Sequence, residues 1–157
     1  VFGRSSASIS EGSHRTAIFF LDLARRQVTA LPGSDGLISP RWSPDGTCIA
    51  AISSDKKRLM LYDIATKTWQ KLAEQSIDSP TFSHDGRWLF FDDFAQDGTS
   101  IYKVAVATDK VERVGDLSEL GPTRGTKFQF AGLAPGDLPL VIASTSAGSI
   151  YSADLPR

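Results

Sequence analysis

Few side chains in this 157-residue sequence are equipped for catalysis, and their spacing decides what they can do. Two histidines, His14 and His84, and one cysteine, Cys48, are the obvious base and nucleophile candidates. A serine hydrolase needs a nucleophile exposed on an elbow and held by a base, but no Gly-x-Ser-x-Gly occurs. His84 falls inside a Ser-x-Asp-Gly turn, and His14 in a loop before the apolar run at Ala17. Cys48 opens an apolar stretch, where a thiol acts as a small buried hydrophobe. No catalytic residue is assigned.

Asp92, Asp93 and Asp97 lie in one extended hairpin and offer the oxygen ligands that a hard cation prefers. Their spacing matches no defined calcium loop, so they are expected at a solvated hairpin tip and no metal is assigned. Asp45 and Asp85 each precede a glycine in a repeated turn, where the carboxylate serves the backbone. Arg124 and Lys127 sit in the long connection Gly121-Pro122-Thr123-Arg124-Gly125-Thr126-Lys127, expected to open on the same rim as the extended hairpin. Loops on a rigid scaffold carry recognition. Asp92, Asp93, Asp97, Arg124 and Lys127 are therefore the candidate binding residues, with no cofactor implied.

The scaffold that must position them announces itself as a repeat. Pro40-Arg41-Trp42-Ser43-Pro44-Asp45-Gly46 returns as Pro80-Thr81-Phe82-Ser83-His84-Asp85-Gly86, 40 residues later. The echo continues as Cys48–Ala51 against Trp88–Phe91 and Tyr62 against Tyr102. Weaker copies flank it: Phe20-Leu21-Asp22-Leu23 resembles Leu61-Tyr62-Asp63-Ile64, and Ile150-Tyr151 resembles Ile101-Tyr102. A period near 40 residues suits a four-stranded propeller blade or a HEAT or armadillo helix pair.

Local chemistry decides between them. Pro44-Asp45-Gly46 supplies a preset φ, a side chain that bonds its own backbone and a residue tolerant of positive φ. That turn is expected to end a short strand at Arg41-Trp42. Further strands are expected at Thr47–Ser53, Arg58–Ile64 and Thr68–Leu72, then at Arg87–Phe91, Ser100–Val106 and Lys110–Val114. No helix fits between these breakers. Ile49-Ala50-Ala51-Ile52 and Trp88-Leu89-Phe90-Phe91 are apolar without alternation, so both faces of each sheet must be covered. Blades stacked face to face achieve this; a two-sheet sandwich gives one-sided patterns. Trp42 and Phe82 are expected in the core near the inner strands.

Trp-Ser-Pro-Asp-Gly, an apolar strand, a Leu-Tyr-Asp strand and a Thr-Lys turn resemble the TolB-like, WD-repeat-like propeller repeat, over about Ala17 to Leu155. The last copy departs from it at Phe130–Asp137. The resemblance implies a protein-binding scaffold, as in the TolB component of the Tol-Pal envelope system. Similar propellers accompany winged-helix regulators and prolyl-oligopeptidase-type peptidases. It points localisation to a bacterial periplasm or envelope, and the final stretch looks like the C-terminal portion of a larger propeller.

The expected fold is thus all-β, a propeller segment of about four blades. Residues 1–37 form a partial blade, 38–78 and 79–120 complete blades, and 121–157 a second partial blade. A closed ring takes four to eight blades, so a fragment is favoured over a small closed ring or an assembly of copies. An open ring would expose apolar blade faces and invite self-association. Composition excludes other classes: 17 basic and 18 acidic residues are interspersed, offering no field for nucleic acid, and no apolar run is long enough to span a bilayer as a helix. The function expected is non-enzymatic binding of a protein or peptide through one rim of loops. The alternative is an accessory propeller of a larger enzyme such as a prolyl-oligopeptidase-type serine peptidase.

Overall fold

A computed structural model describes residues 2–6, 15–93, 100–120 and 126–145. Among the described residues the chain is all-β apart from one 3-10 turn, Leu117–Leu120. Blade 1 holds strands β1 (Phe2–Ser6), β2 (Arg15–Asp22) and β3 (Gln27–Ala30). Blade 2 holds β4 (Leu37–Trp42), β5 (Cys48–Ser53), β6 (Arg58–Asp63) and β7 (Thr68–Glu74). Blade 3 repeats this with β8 (Asp78–Phe82), β9 (Trp88–Asp93), β10 (Ser100–Ala105) and β11 (Val111–Asp116). Blade 4 contributes β12 (Thr126–Ala134) and β13 (Leu138–Thr145). Each sheet is an antiparallel meander in chain order, and no ladder passes from one blade to the next among the described residues. The last repeat copy, near Ile150, lies outside the described residues.

The turns that end the strands are built by the residues that define the repeat. In blade 2 the Ser43 hydroxyl donates to Asp45 Oδ1 (2.6 Å), Asp45 accepts from the Thr47 N–H (3.0 Å), and the Cys48 N–H donates back to Ser43 Oγ (2.9 Å). Blade 3 reproduces each bond with Ser83, Asp85, Arg87 and Trp88, at 2.7, 3.0 and 3.0 Å. Gly46 and Gly86 close the turns at φ 73° and 71°, a region where a side chain is strained. Ser39 and Ser79 also match, with φ 53° and 49°, each before a proline and each inside a bulge that breaks the β4–β5 or β8–β9 register.

The blades are joined by side chains. Ile52, Leu61 and Leu72 of blade 2 pack with Ile77, Phe82, Leu89 and Phe91 in one buried cluster. Ile18, Leu31 and Tyr62 belong to a second cluster between blades 1 and 2, and Phe90, Ile101, Leu117 and Phe130 to a third between blades 3 and 4. This sandwiching explains why β5 and β9 carry apolar residues on both faces: alternate residues serve alternate neighbours. Phe82 is buried as expected. Trp42 is not: it stays 42% exposed, because its contact is with Phe20 of the outer blade 1 (ring centroids 5.8 Å apart) rather than with the inner core.

Among the described residues, two sheet faces have no neighbouring blade against them. On β13, Pro139 and Val141 turn inward while Leu138, Leu140 and Ile142 remain exposed. On blade 1 the cross-strand partners Leu21 and Val28 are exposed together.

Candidate functional site

Strand direction sorts the connections onto two rims. On one, the hairpin between β5 and β6 meets the blade-to-blade connection: the Gln75 N–H donates to Lys57 O (3.0 Å) and the Ile77 N–H to Lys56 O (2.8 Å). The Ser54 N–H likewise donates to Gly36 O (2.8 Å) in the preceding connection. These bonds fix the rim's backbone, and charged side chains of both signs stand on it. Lys56 Nζ reaches Asp78 Oδ2 of the next blade at 2.8 Å. An open groove of about 360 Å³ runs beside it, lined by Asp55, Lys56, Lys57, Glu74, Gln75 and Ser76. The Ser53 hydroxyl, the Lys57 N–H and nearby cations hold the Asp55 carboxyl below the usual carboxylate range. Lys71 does the same for Glu74.

The opposite rim carries the Asp-Gly turns. Between blades 2 and 3 it opens a groove of about 420 Å³ lined by Asp45, Asp85, Arg87, Trp88 and Val106, among others. Asp45 and Asp85 are committed there to the turns described above, which hold both carboxyls below their ordinary range. His84 is a turn residue whose N–H and ring Nδ1 both meet Asp137 Oδ1 in blade 4, at 2.9 and 2.6 Å. Cys48 is a free, half-buried thiol packed against the blade 2–3 cluster.

Of the five candidate binding residues, Asp92 and Asp93 end β9 at the hairpin rim. Asp93 is half-buried, whereas Asp92 is 1% exposed and faces the interior between blades 3 and 4. Asp97 and Arg124 lie outside the described residues. Lys127 lies on β12, and its side chain is outside them too. Among the described residues no three His, Cys, Asp or Glu side chains converge into a metal site, and no helix is long and apolar enough to cross a membrane. Residue types in the sequence did not single out Lys56, Asp78 or Glu74. The 40-residue echo could have: Asp78 occupies the position of Ile38.

No protein-family model and no curated protein sequence matches the chain. Solved structures do match. TolB from Acinetobacter baumannii superposes with a TM-score of 0.59 at 22% identity, covering 82% of this chain and 34% of that one. The fold is a TolB-like β-propeller. The acylaminoacyl peptidase of Pyrococcus horikoshii matches this propeller with a TM-score of 0.61 at 17% identity, over 82% of this chain and 24% of that one. The β-propeller domain of the Trilobed protease from Pyrococcus furiosus, described as having an open velcro topology, gives 0.57 at 19% identity over 80% and 40%. The propeller described here thus spans at most two fifths of the length of these three matches.

Proposed function

We propose that this propeller is a non-catalytic scaffold that binds a protein or peptide at the rim bearing the β5–β6 hairpin. The observation that carries the reading is the cross-linked backbone of that rim, where hairpin and connection are bonded to each other and present Lys56, Lys57, Asp55 and Glu74 beside one groove. A preorganised surface of mixed charge loses little freedom on binding and selects partners by charge pattern. The rim of blade 3, where Asp93 ends β9, extends the same surface. The likeness to TolB supports this reading.

The likeness to the acylaminoacyl peptidase supports a second one, in which the propeller accompanies a catalytic domain elsewhere in a longer protein. The exposed faces of blades 1 and 4 further support pairing of the propeller with other blades, including those of a second copy.

The test is affinity capture with the immobilised chain, comparing Lys57→Glu and Glu74→Lys on the hairpin rim with Arg87→Glu on the turn rim. Loss of one specific partner with the first two, and not the third, is the expected result. Capture that is indifferent to the hairpin-rim changes would overturn the assignment of the rim.

A further inference from the structure

The repeat breaks its own chemistry at one place on the inner strands. In blade 2, Ile38 of β4 and Ile52 of β5 are cross-strand partners, and Ile52 is fully buried in the seam with blade 3. Forty residues on, the partners are Asp78 of β8 and Asp92 of β9. Both members of an apolar pair have become carboxylates. Asp78 is answered by Lys56 at 2.8 Å. Asp92 is not: it is 1% exposed, and among the described residues neither carboxylate oxygen has a hydrogen-bond partner.

The surroundings of Asp92 are those of a blade seam. Cross-strand partners share a face of the sheet, as do residues two apart along a strand. Asp92 is paired with Ile101 of β10 and follows Phe90 on its own strand, and both belong to the apolar cluster with Leu117 and Phe130. Among the described residues, the charged groups that act on it are Asp78 from β8, with the same sign, and Lys56 from the β5–β6 hairpin. The backbone N–H groups of Asp92 itself and of Phe130 ease the charge without completing a hydrogen bond. Asp93 turns to the other face by alternation. A carboxylate sealed among such neighbours holds its proton to higher pH than an exposed one.

We propose that the Asp78·Asp92 pair is a proton-operated joint between blades 3 and 4, in which neutral Asp92 seats β9 against β12 and ionised Asp92 loosens that seam. Burial, with the like charge of Asp78 second, pushes the Asp92 carboxyl up to about 6. Its folded-state value lies above the ordinary 3.8, so its contribution to stability is fully present below about pH 4 and is lost as the pH rises through 6. A proton is the occupant that the seal admits.

The experiment compares the full chain with Asp92→Asn, a neutral isostere, and Asp92→Ile, which restores the side chain of blade 2. Unfolding temperature is followed from pH 4.5 to 8. The wild type is expected to lose stability between pH 5 and 7, while both variants stay flat there and exceed it at pH 8. His84 and Asp137, which span the same seam on the opposite rim, are present in all three chains and cancel. Asp78→Asn is expected to move the wild-type midpoint to lower pH. Hydrogen exchange at Phe128–Phe130, corrected for intrinsic rate, reads the seam without any variant: it should be at least about tenfold faster at pH 8 than at pH 5. Equal protection at both pH values, or the same pH slope in Asp92→Asn as in the wild type, would overturn the proposal. A rise in wild-type unfolding temperature with millimolar calcium at pH 7.5 that Asp92→Asn lacks would also overturn it, assigning the pair to a cation.

Discussion

His84 and Asp137 lie 53 residues apart, yet one carboxylate oxygen of Asp137 meets both the backbone N–H and the ring Nδ1 of His84. The sister turn has Pro44 at this position, and proline has no N–H to give. Replacing it by histidine keeps the turn and adds two groups that face the next blade. Asp137 sits at φ 58°, in the β12–β13 hairpin, so a left-handed backbone there aims its carboxylate back at blade 3. His84→Pro is therefore expected to preserve the Ser83–Asp85 turn while freeing blade 4. The measurement is limited proteolysis: cleavage within β12–β13 should accelerate while blades 2 and 3 stay protected.

Ser83 is buried and joins Asp85 to the Trp88 N–H. Removing its hydroxyl leaves a partly buried donor unanswered. Ser83→Ala should cost about 1–2 kcal/mol in urea denaturation, and Ser43→Ala a similar amount, because the two networks match bond for bond.

Gly33 has φ 70°, and a Cβ there would stand 3.1 Å from Trp69 Cδ1. The indole cannot retreat freely, since its Nε1–H donates to Pro32 O at 2.9 Å and its ring packs on Tyr62 with centroids 5.0 Å apart. Gly33→Ala should destabilise by more than about 1 kcal/mol and change the tryptophan emission, the second readout locating the damage between blades 1 and 2.

Acid and base act on the propeller with opposite signs. Asp45, Asp55, Asp63, Asp85 and Asp137 are all held below the ordinary carboxylate range, chiefly by hydrogen bonds from Ser43, Ser53, the Thr66 backbone, Ser83 and His84 respectively. Depressed acids contribute stability above about pH 4 and lose it as the pH falls through their folded values. Asp92, pushed up to about 6, contributes on the acid side and loses it as the pH rises. A plot of unfolding temperature against pH should accordingly peak near pH 4 to 5, and Asp92→Asn should move the peak toward neutrality.

The stripe on β13, with Leu140 at 49% and Ile142 at 53% exposed, is the kind of apolar face that marks an interface. Light scattering over a concentration series should show mass rising with concentration. Leu140→Lys with Ile142→Lys should return a monomer, since charge on that face cannot be buried without a partner.

What the sequence disclosed follows from how its signals are encoded. The turns were legible because Ser-x-Asp-Gly is a local device, complete within six residues, and the same bonds form in both copies. The strand pattern was legible because blades cover each other on both faces. The interior position of Asp92 was not, although the alignment of Cys48–Ala51 with Trp88–Phe91 stopped one residue short of it. Extending that alignment pairs Ile52 with Asp92, an apolar seam position filled by an acid. Three aspartates within six residues suggested a hairpin tip because side-chain type outweighed register. The exposure of Trp42 was hidden for a related reason: Phe82, its echo, joins the buried cluster between blades 2 and 3, whereas Trp42 only meets Phe20 of blade 1 and belongs to no buried cluster. The His84–Asp137 contact has no local signature at all.

Among the described residues, each ladder of hydrogen bonds begins and ends inside one blade, as in blade 2 between Leu37 and Glu74. Each of these pairings therefore closes a short loop of chain, and each of these sheets can form before its neighbours exist. Folding can start at either central blade and spread outward by docking faces. The same independence makes the blade a unit of inheritance: a gene duplication that adds 40 residues inserts a sheet whose hydrogen bonds are already satisfied, and leaves only side chains to be refitted at two seams.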